Sequence, residues 1–348
     1  MPVSPSSELE LAQRHDAEGR HDDAINALAR GTGAGDLPCM RELGKRLLAG
    51  DRAPLLAVEG ARFIVDAANK GDAEAAARVA ALTAMGLHRP QSWRDAQMWL
   101  GLAAQRGWQS ARDQLTALAS PHPVGKDWRQ LAENIDLSSW ANSPATRTLR
   151  TDPEVQVVTD FISPAVCDWI IGHARGRLTR ARVYDALNAQ DIVSTTRTNS
   201  VANSTLASVE LLDLLVQVKM SAACRQPMRN MEAPAVLHYA AGEQNIDHYD
   251  FVDPAMPDYA QEIARNGQRV VTFLVYLNDA YEGGETTFPR LGLSHKGRRG
   301  EGLFFVNALA DMQPDLRMLH SGQPPTSGEK WIVSQFIRSR ATIAQQGR

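Results

Sequence analysis

The spacing of hydrophobic and polar positions changes near residue 120, and this change predicts two structurally different parts. Before it, apolar residues recur with helical spacing in a sequence rich in Ala, Leu and Arg. After it, residues 269–277 and 331–337 are apolar segments of strand length, bounded by Gly, Asn, Asp or charged residues. Leu206 to Ala222 has a helical apolar stripe instead, made of Leu211, Leu212, Leu214, Leu215 and Val218.

A period of 36 residues runs through the helical part. Its landmarks are Gly35-Asp36, Gly71-Asp72 and Gly107-Trp108; Gly50 and Gly86; Leu28, Ile64 and Leu100; and Ala67-Ala68 with Ala103-Ala104. Small residues at helix crossings and Gly at turns, repeated at this step, are typical of a helix-turn-helix solenoid. The landmarks resemble Sel1-like repeats, relatives of the tetratricopeptide class, in about three units of which the first is degenerate. Such an array is a predicted binding surface for a protein partner.

Composition describes an ordinary globular chain. Its 348 residues exceed one typical domain, with 43% hydrophobic and 22% charged residues. The net charge of −3 provides neither a basic field for nucleic acid nor a polybasic membrane patch. The first residues lack the layout of a signal peptide, and no apolar stretch has the length of a membrane span. Cys39, Cys167 and Cys224 are scattered, so we expect buried or free thiols in a reducing cytoplasm, with no nucleic-acid or membrane partner.

Three residues of the second part have the chemistry of a metal site. His248 and Asp250 are two positions apart, so on a strand their side chains share a face, and His320 follows Asp250 by seventy residues. Two neutral imidazoles and one carboxylate form a facial triad that suits Fe(II) and leaves coordination positions open. The alternative is that His248 binds no metal and is a surface histidine beside an aspartate in a loop.

Lys330 stands ten residues after His320, and the segment between them is rich in turn residues. We therefore expect His320 and Lys330 on neighbouring strands, with the ammonium directed into the metal pocket. A lysine among apolar strand neighbours needs a counter-charge, and the far carboxylate of 2-oxoglutarate would supply it. The alternative for Lys330 is a charged residue that protects a sheet edge.

The order of the surrounding segments resembles the prolyl 4-hydroxylase branch of the iron and 2-oxoglutarate dioxygenases. The resemblance covers about residues 152–340. Its segments are Phe161 to Asp168, Arg197-Thr198-Asn199, Gln226-Pro227, Asn230 to Glu232, Leu237 to Gln244, Arg269 to Asn278, Gly283 to Pro289, Gly302 to Phe305, Leu319 to Pro324 and Gly328 to Trp331. It implies a double-stranded β-helix, a jelly roll of two antiparallel sheets with helices packed outside. The predicted fold is thus α+β and multidomain: repeats over 1–120, a linker and packing segment over 121–151, and the dioxygenase domain over 152–340.

The same resemblance implies Fe(II), 2-oxoglutarate and O2, with ascorbate as a possible reductant of the iron. It places Tyr239 and Thr272 with Lys330 around 2-oxoglutarate, and the alternative for both is a role in the core. It implies no catalytic residue beyond the metal ligands. Substrate contacts would come from Arg197, Asn245, Arg269 and Arg338. Asn245 stands where peptidyl-prolyl members often have tyrosine, which weakens a direct transfer of peptidyl proline as substrate. Phe336 stands where tryptophan is usual, a milder departure.

Three functions follow from these residues. The first is hydroxylation of a prolyl or other residue of a protein or peptide, coupled to decarboxylation of 2-oxoglutarate to succinate. The second is hydroxylation of a free amino or imino acid, or a small peptide, in specialised metabolism. The third is a catalytically silent scaffold built on the repeats, against which the intact triad argues. A small closed pocket would favour the free amino acid, and an open groove would favour the peptide.

Overall fold

The computed structural model describes residues 7–121, 125, 127–185, 190–192 and 195–341. They form two compact units, one made of 1–137 with 204–215 and the other of 138–203 with 216–347. The first unit therefore contains a segment, 204–215, that lies within the predicted dioxygenase part of the sequence. Each unit has its own core.

The first unit is built from helix pairs. Its helices are α1 Ser7–Ala17, α2 His21–Gly33, α3 Leu37–Ala49, α4 Ala57–Asn69, α5 Ala73–Met85, α6 Trp93–Gln105, α7 Gln109–Ala119 and α8 Trp128–Asn134. The starts of α2, α4 and α6 are 36 residues apart, and so are the starts of α3, α5 and α7. The predicted 36-residue helical repeat is confirmed.

The repeated landmarks mark the ends of these helices. Asp36 and Asp72 are N-cap residues whose carboxylates accept hydrogen bonds of 2.7 Å from the backbone N–H groups of Cys39 and Ala75. Gly50 ends α3 in the left-handed conformation, with φ of 67°, which a residue without a side chain adopts at no steric cost. The small residues of α5 are almost all buried, which lets neighbouring helices approach closely.

The second unit is mainly antiparallel sheet. Its strands are β1 Thr146–Arg150, β2 Val155–Val158, β3 Thr179–Arg180, β4 Val183–Asp185, β5 Gln190–Ile192, β6 Ser200–Asn203, β7 Ala235–Tyr239, β8 Asn245–His248, β9 Arg269–Tyr276, β10 Glu282–Gly283, β11 Thr286–Phe288, β12 Leu293–His295, β13 Gly302–Val306, β14 His320–Gly322, β15 Pro325–Ser327 and β16 Lys330–Arg338. The further helices of the chain are α9 Pro164–Arg175, α10 Leu211–Cys224 and α11 Pro257–Asn266. Single 3-10 turns occupy Ser138–Ala141, Met228–Asn230, Pro289–Leu291 and Leu316–Met318.

Two sheets define the jelly roll. The larger has the order β1-β2-β13-β9-β16-β7-β6-β3, and the smaller has the order β12-β11-β14-β8. Strands β10 and β15 form one short pair, and β4 and β5 form another. Leu237, Leu274 and Ile332 of the larger sheet share a buried core with Phe288 of the smaller one. This arrangement confirms the predicted fold class of helical repeats followed by a double-stranded β-helix.

Local predictions are met to different degrees. The apolar segments 269–277 and 331–337 are confirmed as β9 and β16. The predicted helix over Leu206 to Ala222 is wrong at its start, because the backbone N–H groups of Ser208 and Val209 turn back to the carbonyl of Thr205. Helix α10 begins only at Leu211. The predicted linker 121–151 contains α8 and β1, and β1 pairs with β2 in the larger sheet.

Within the described residues, none of the helices combines the length and apolar character that a membrane span requires. The three cysteines are buried, and none forms a disulfide within the described residues. Burial raises the pKa of Cys167 and of Cys224 to about 11, so both thiols are in the neutral form at neutral pH.

Candidate active site

The fold brings His248, Asp250 and His320 together, with ligand atoms that all lie within 4.8 Å of one another. His248 ends β8 and stands directly opposite His320, which begins β14. Asp250 lies two residues beyond the end of β8, so its position depends on the loop as well as on strand alternation. Its carboxylate is 3.4 Å from Nε2 of His248 and 3.2 Å from Nε2 of His320.

Backbone carbonyls orient both imidazoles. Nδ1 of His248 lies 2.7 Å from the carbonyl oxygen of Ile246, and Nδ1 of His320 lies 3.0 Å from that of Met318. A carbonyl only accepts, so each Nδ1 carries a proton, and each Nε2 can bind a metal ion once its own proton has left. The donor set of two nitrogens and one carboxylate oxygen fits Fe(II).

A relay of hydrogen bonds fixes the Asp250 carboxylate. The Thr272 hydroxyl donates to Oδ2 of Asp250 at 2.8 Å, and the Asn307 amide donates to the Thr272 hydroxyl, also at 2.8 Å. Burial alone would raise the pKa of Asp250, but the charge of His320 and hydrogen bonds from both histidines hold it well below its usual value. The carboxylate is therefore ionised. Thr272 contacts the Asp250 carboxylate, and its predicted contact with 2-oxoglutarate stays a prediction.

Lys330 is completely buried at the start of β16. Its ammonium donates to the carbonyl of Gly284 at 2.7 Å and lies 5.2 Å from the centre of the Tyr239 ring. Within the described ranges it forms no ion pair, and burial lowers its pKa to about 8. Gly284 has φ of +73°, and a Cβ at this position would lie 2.8 Å from the Tyr281 ring, so the carbonyl that meets Lys330 depends on glycine.

The predicted path from His320 to Lys330 is wrong in one respect. His320 belongs to the smaller sheet and Lys330 to the larger one, so they are not on neighbouring strands. Part of the turn-rich segment between them forms β15, which pairs with β10 and carries the chain from one sheet to the other. Both side chains nevertheless line one cavity, because the two sheets face each other across it.

This cavity has a volume of about 1100 Å³. Of the residues that the sequence predicted, it is lined by His248, Asp250, His320, Lys330, Tyr239, Arg197, Asn245 and Arg269. Tyr239 faces Lys330 across the β7 and β16 pairing, and burial raises its pKa to about 12, so the hydroxyl is a neutral donor. The Asn245 amide lies 3.0 Å from Nε2 of His248 and so contacts one of the three candidate metal ligands.

The two predicted substrate arginines differ in placement. Arg269 lies along the cavity, 4.0 Å from the centre of the Phe336 ring, with two hydrogen bonds of 2.7 and 2.9 Å to Glu232. Arg338 is 4% exposed, donates to Glu232 at 2.6 Å and to the carbonyl of Gly267 at 2.8 Å, and does not line the described wall of the cavity. Glu232, Glu262 and the carbonyl of Gly267 hold the guanidinium in place, and its predicted contact with substrate stays a prediction.

Sequence reasoning missed several residues of this site. Glu232 belongs to one of the segments that resemble the family, but only the fold shows that its carboxylate accepts hydrogen bonds from both Arg269 and Arg338. Asn307 carried no motif at all, because its contact with Thr272 joins positions 35 residues apart on neighbouring strands.

Comparison with known proteins identifies the class. Residues 234–338 match the model of the 2OG-Fe(II) oxygenase superfamily. Prolyl 4-hydroxylase 1 of Arabidopsis thaliana is 31% identical over 233 residues, which are 60% of this chain and 80% of that protein. The chain therefore belongs to the prolyl 4-hydroxylase family, and it is a 2-oxoglutarate-dependent dioxygenase.

Two solved structures are similar to different parts of the chain. The viral collagen prolyl hydroxylase of Paramecium Bursaria Chlorella virus-1, solved with 2OG, is 26% identical with a TM-score of 0.42, and covers 53% of this chain and 96% of its own. A Sel1 repeat protein of Oxalobacter formigenes is 18% identical with a TM-score of 0.31, and covers 38% of this chain and 60% of its own.

Proposed function

We propose that this protein hydroxylates a prolyl or other residue of a protein or peptide and decarboxylates 2-oxoglutarate to succinate. The observation that carries the proposal is the cluster of His248, Asp250 and His320 in one cavity with the buried ammonium of Lys330, which has no carboxylate partner among the described residues. Bound iron and 2-oxoglutarate would activate O2, with one oxygen atom entering the substrate and the other entering succinate.

The residues of the chain fit separate tasks in this reaction. His248, Asp250 and His320 would hold the iron, with the carbonyls of Ile246 and Met318 keeping the imidazoles in place. Lys330 would bind the distal carboxylate of 2-oxoglutarate, supported by the Tyr239 hydroxyl, because a buried cation without an anion gains most from one. We include ascorbate as a possible reductant of the iron.

The cavity favours a peptide over a free amino acid. Its volume of about 1100 Å³ exceeds the size of a single amino acid beside 2-oxoglutarate, and exposed residues such as Ile246, Asp253 and Leu316 form part of its wall. Arg197, Asn245 and Arg269 would contact the substrate. We assign the chemistry to residues 152–340, and recognition of a partner or substrate protein to the repeats.

A panel of peptides and free amino acids tests this function. Full-length protein with Fe(II) and 2-oxoglutarate should add one oxygen atom to a peptide, detected by mass spectrometry, and release succinate. Oxygen gain confined to a free amino or imino acid would favour the alternative in specialised metabolism. Absence of succinate under every condition would favour the silent scaffold.

A further inference from the structure

Large apolar side chains are exposed at the wall of the cavity and on the chain segment 309–316 that leads into it. We call Ile246, Leu309, Met312 and Leu316 the apolar rim; they are 42%, 42%, 52% and 56% exposed. Ile246 and Leu316 also line the cavity itself. Single exposed apolar residues need no explanation, but a group of them beside a binding cavity is typical of an interaction surface.

Leu309 and Met312 lie on one turn, Leu316 follows it directly, and backbone hydrogen bonds close that turn. The Leu309 N–H donates to the carbonyl of Gln313 at 2.8 Å, and the Asp315 N–H donates to that of Asn307 at 2.9 Å. The carbonyl of Leu316 accepts from the Tyr249 hydroxyl at 3.2 Å. The turn is thus held in place while its apolar side chains face solvent, as a preformed binding surface requires.

The same turn is tied to the metal cluster. Asn307 stands at its base, and the Asn307 amide donates to Thr272, which donates to Asp250. The base of this turn is therefore joined to the metal cluster by two hydrogen bonds. A side chain that docks on the rim would place a neighbouring residue of the same peptide near the cluster.

Acidic groups flank the rim. Asp247, Asp253 and Asp311 are exposed, and in the described part of the chain none of them pairs with a cation. Asp247 and Asp253 line the cavity, and Asp311 lies on the same turn as Met312. Two nearby cations are engaged with neutral groups: Arg290 donates to the carbonyl of Leu316 at 2.8 Å, and Arg197 donates to the Asn199 side chain at 3.2 Å.

We propose that the apolar rim binds the substrate peptide beside the hydroxylated residue, and that it selects an apolar side chain next to a lysine or arginine. The apolar side chain would cover Leu309, Met312 and Leu316, and the basic one would pair with the exposed carboxylates. This inference rests on the proposed function and narrows its substrate class.

Two fluorescein-labelled peptides test the selection. They share a central proline, but one carries Leu and Lys beside it and the other carries Ser and Asp. Fluorescence anisotropy with full-length protein, Fe(II) and 2-oxoglutarate under argon should show that the first binds at least about tenfold more tightly, as expected for burial of one leucine side chain. Equal affinities, or no binding of the Leu and Lys peptide, would overturn the proposal.

Substitutions locate the binding to the rim. Met312→Asp and Leu309→Asp should each weaken binding of the Leu and Lys peptide by about tenfold, because each puts a charge where an apolar contact formed. Asp253→Asn should weaken the same peptide and leave a peptide with Leu and Ser unchanged. Met98→Asp is the matched control, since Met98 is 45% exposed on α6 of the other unit. Rim variants that bind like this control would refute the assignment.

Succinate release by the wild-type protein is measured in parallel. If the wild-type protein released no succinate, the proposed function would be contradicted. Retained activity with equal peptide affinities would contradict only the role of the rim.

Discussion

Arg78 and Glu210 form a buried ion pair, with the two residues 5% and 4% exposed. Gln114 donates to the same carboxylate at 2.9 Å, and Arg78 donates to the carbonyl of Val209 at 2.7 Å. Arg78 and Gln114 are 36 residues apart, so they occupy equivalent positions of successive repeats. Two successive repeats therefore bind the chain segment 204–215 through residues at the same repeat position.

Removal of Arg78 should strongly destabilise the protein. Burial raises the pKa of Glu210, and the charge of Arg78 opposes this effect, so Arg78→Leu leaves a buried acid without its partner. We expect a loss of about 3–5 kcal/mol in the free energy of unfolding, measured by urea denaturation. Arg62→Leu is the control, because Arg62 is exposed and pairs with Glu59 at the surface. If the two variants were equally stable, the ion pair would have no structural role.

Substitution of a cluster histidine should abolish the reaction. His248→Ala removes one of three ligand groups, so we expect loss of tight Fe(II) binding and of succinate production. The measurements are metal content after gel filtration and succinate by mass spectrometry. His88→Ala, at an exposed histidine of the repeats, should match the wild type. Wild-type succinate production by His248→Ala at saturating iron would remove His248 from the metal site.

Lys330 should affect 2-oxoglutarate more than iron. Lys330→Ala removes the buried cation expected to meet the distal carboxylate, so 2-oxoglutarate binding should weaken by about 2–5 kcal/mol. Iron affinity should change little, since the Lys330 ammonium bonds to Gly284 rather than to the cluster. KM for 2-oxoglutarate and an iron titration separate the two effects, with Lys70→Ala, at an exposed lysine, as control. An unchanged KM would exclude Lys330 from the cosubstrate site.

The affinity for 2-oxoglutarate should also depend on pH. Burial lowers the pKa of Lys330 to about 8, so in the ligand-free protein its positive charge is present below that pH and lost above it. KM for 2-oxoglutarate should therefore be constant at lower pH and rise as pH increases through about 8. Lys330→Arg keeps the charge at all these pH values, and its KM should be flat over the same range. An equally steep rise in Lys330→Arg would assign the titration to another group.

The sequence predicted the features that local pattern encodes. The repeat was visible because its caps and turns, such as Asp36, Asp72 and Gly50, are short-range chemistry. The cluster residues stood out because few residue types bind iron. The sheet on which Lys330 lies could not be predicted, since a turn-rich segment does not show whether a chain stays in one sheet or crosses to another. The same limit applies to Glu210, whose partner Gln114 is 96 residues away in sequence.

Arg78 and Gln114 contact the same carboxylate, that of Glu210, and this limits where repeats could have been added to the chain during evolution. A tandem duplication before α5 would add a repeat and leave both side chains in register, because solenoid repeats contact only their neighbours. A duplication between α5 and α7 would insert a repeat between the two donors and break that register. We therefore expect relatives to differ in repeat number upstream of Ala73, where an added repeat leaves the contacts with segment 204–215 unchanged.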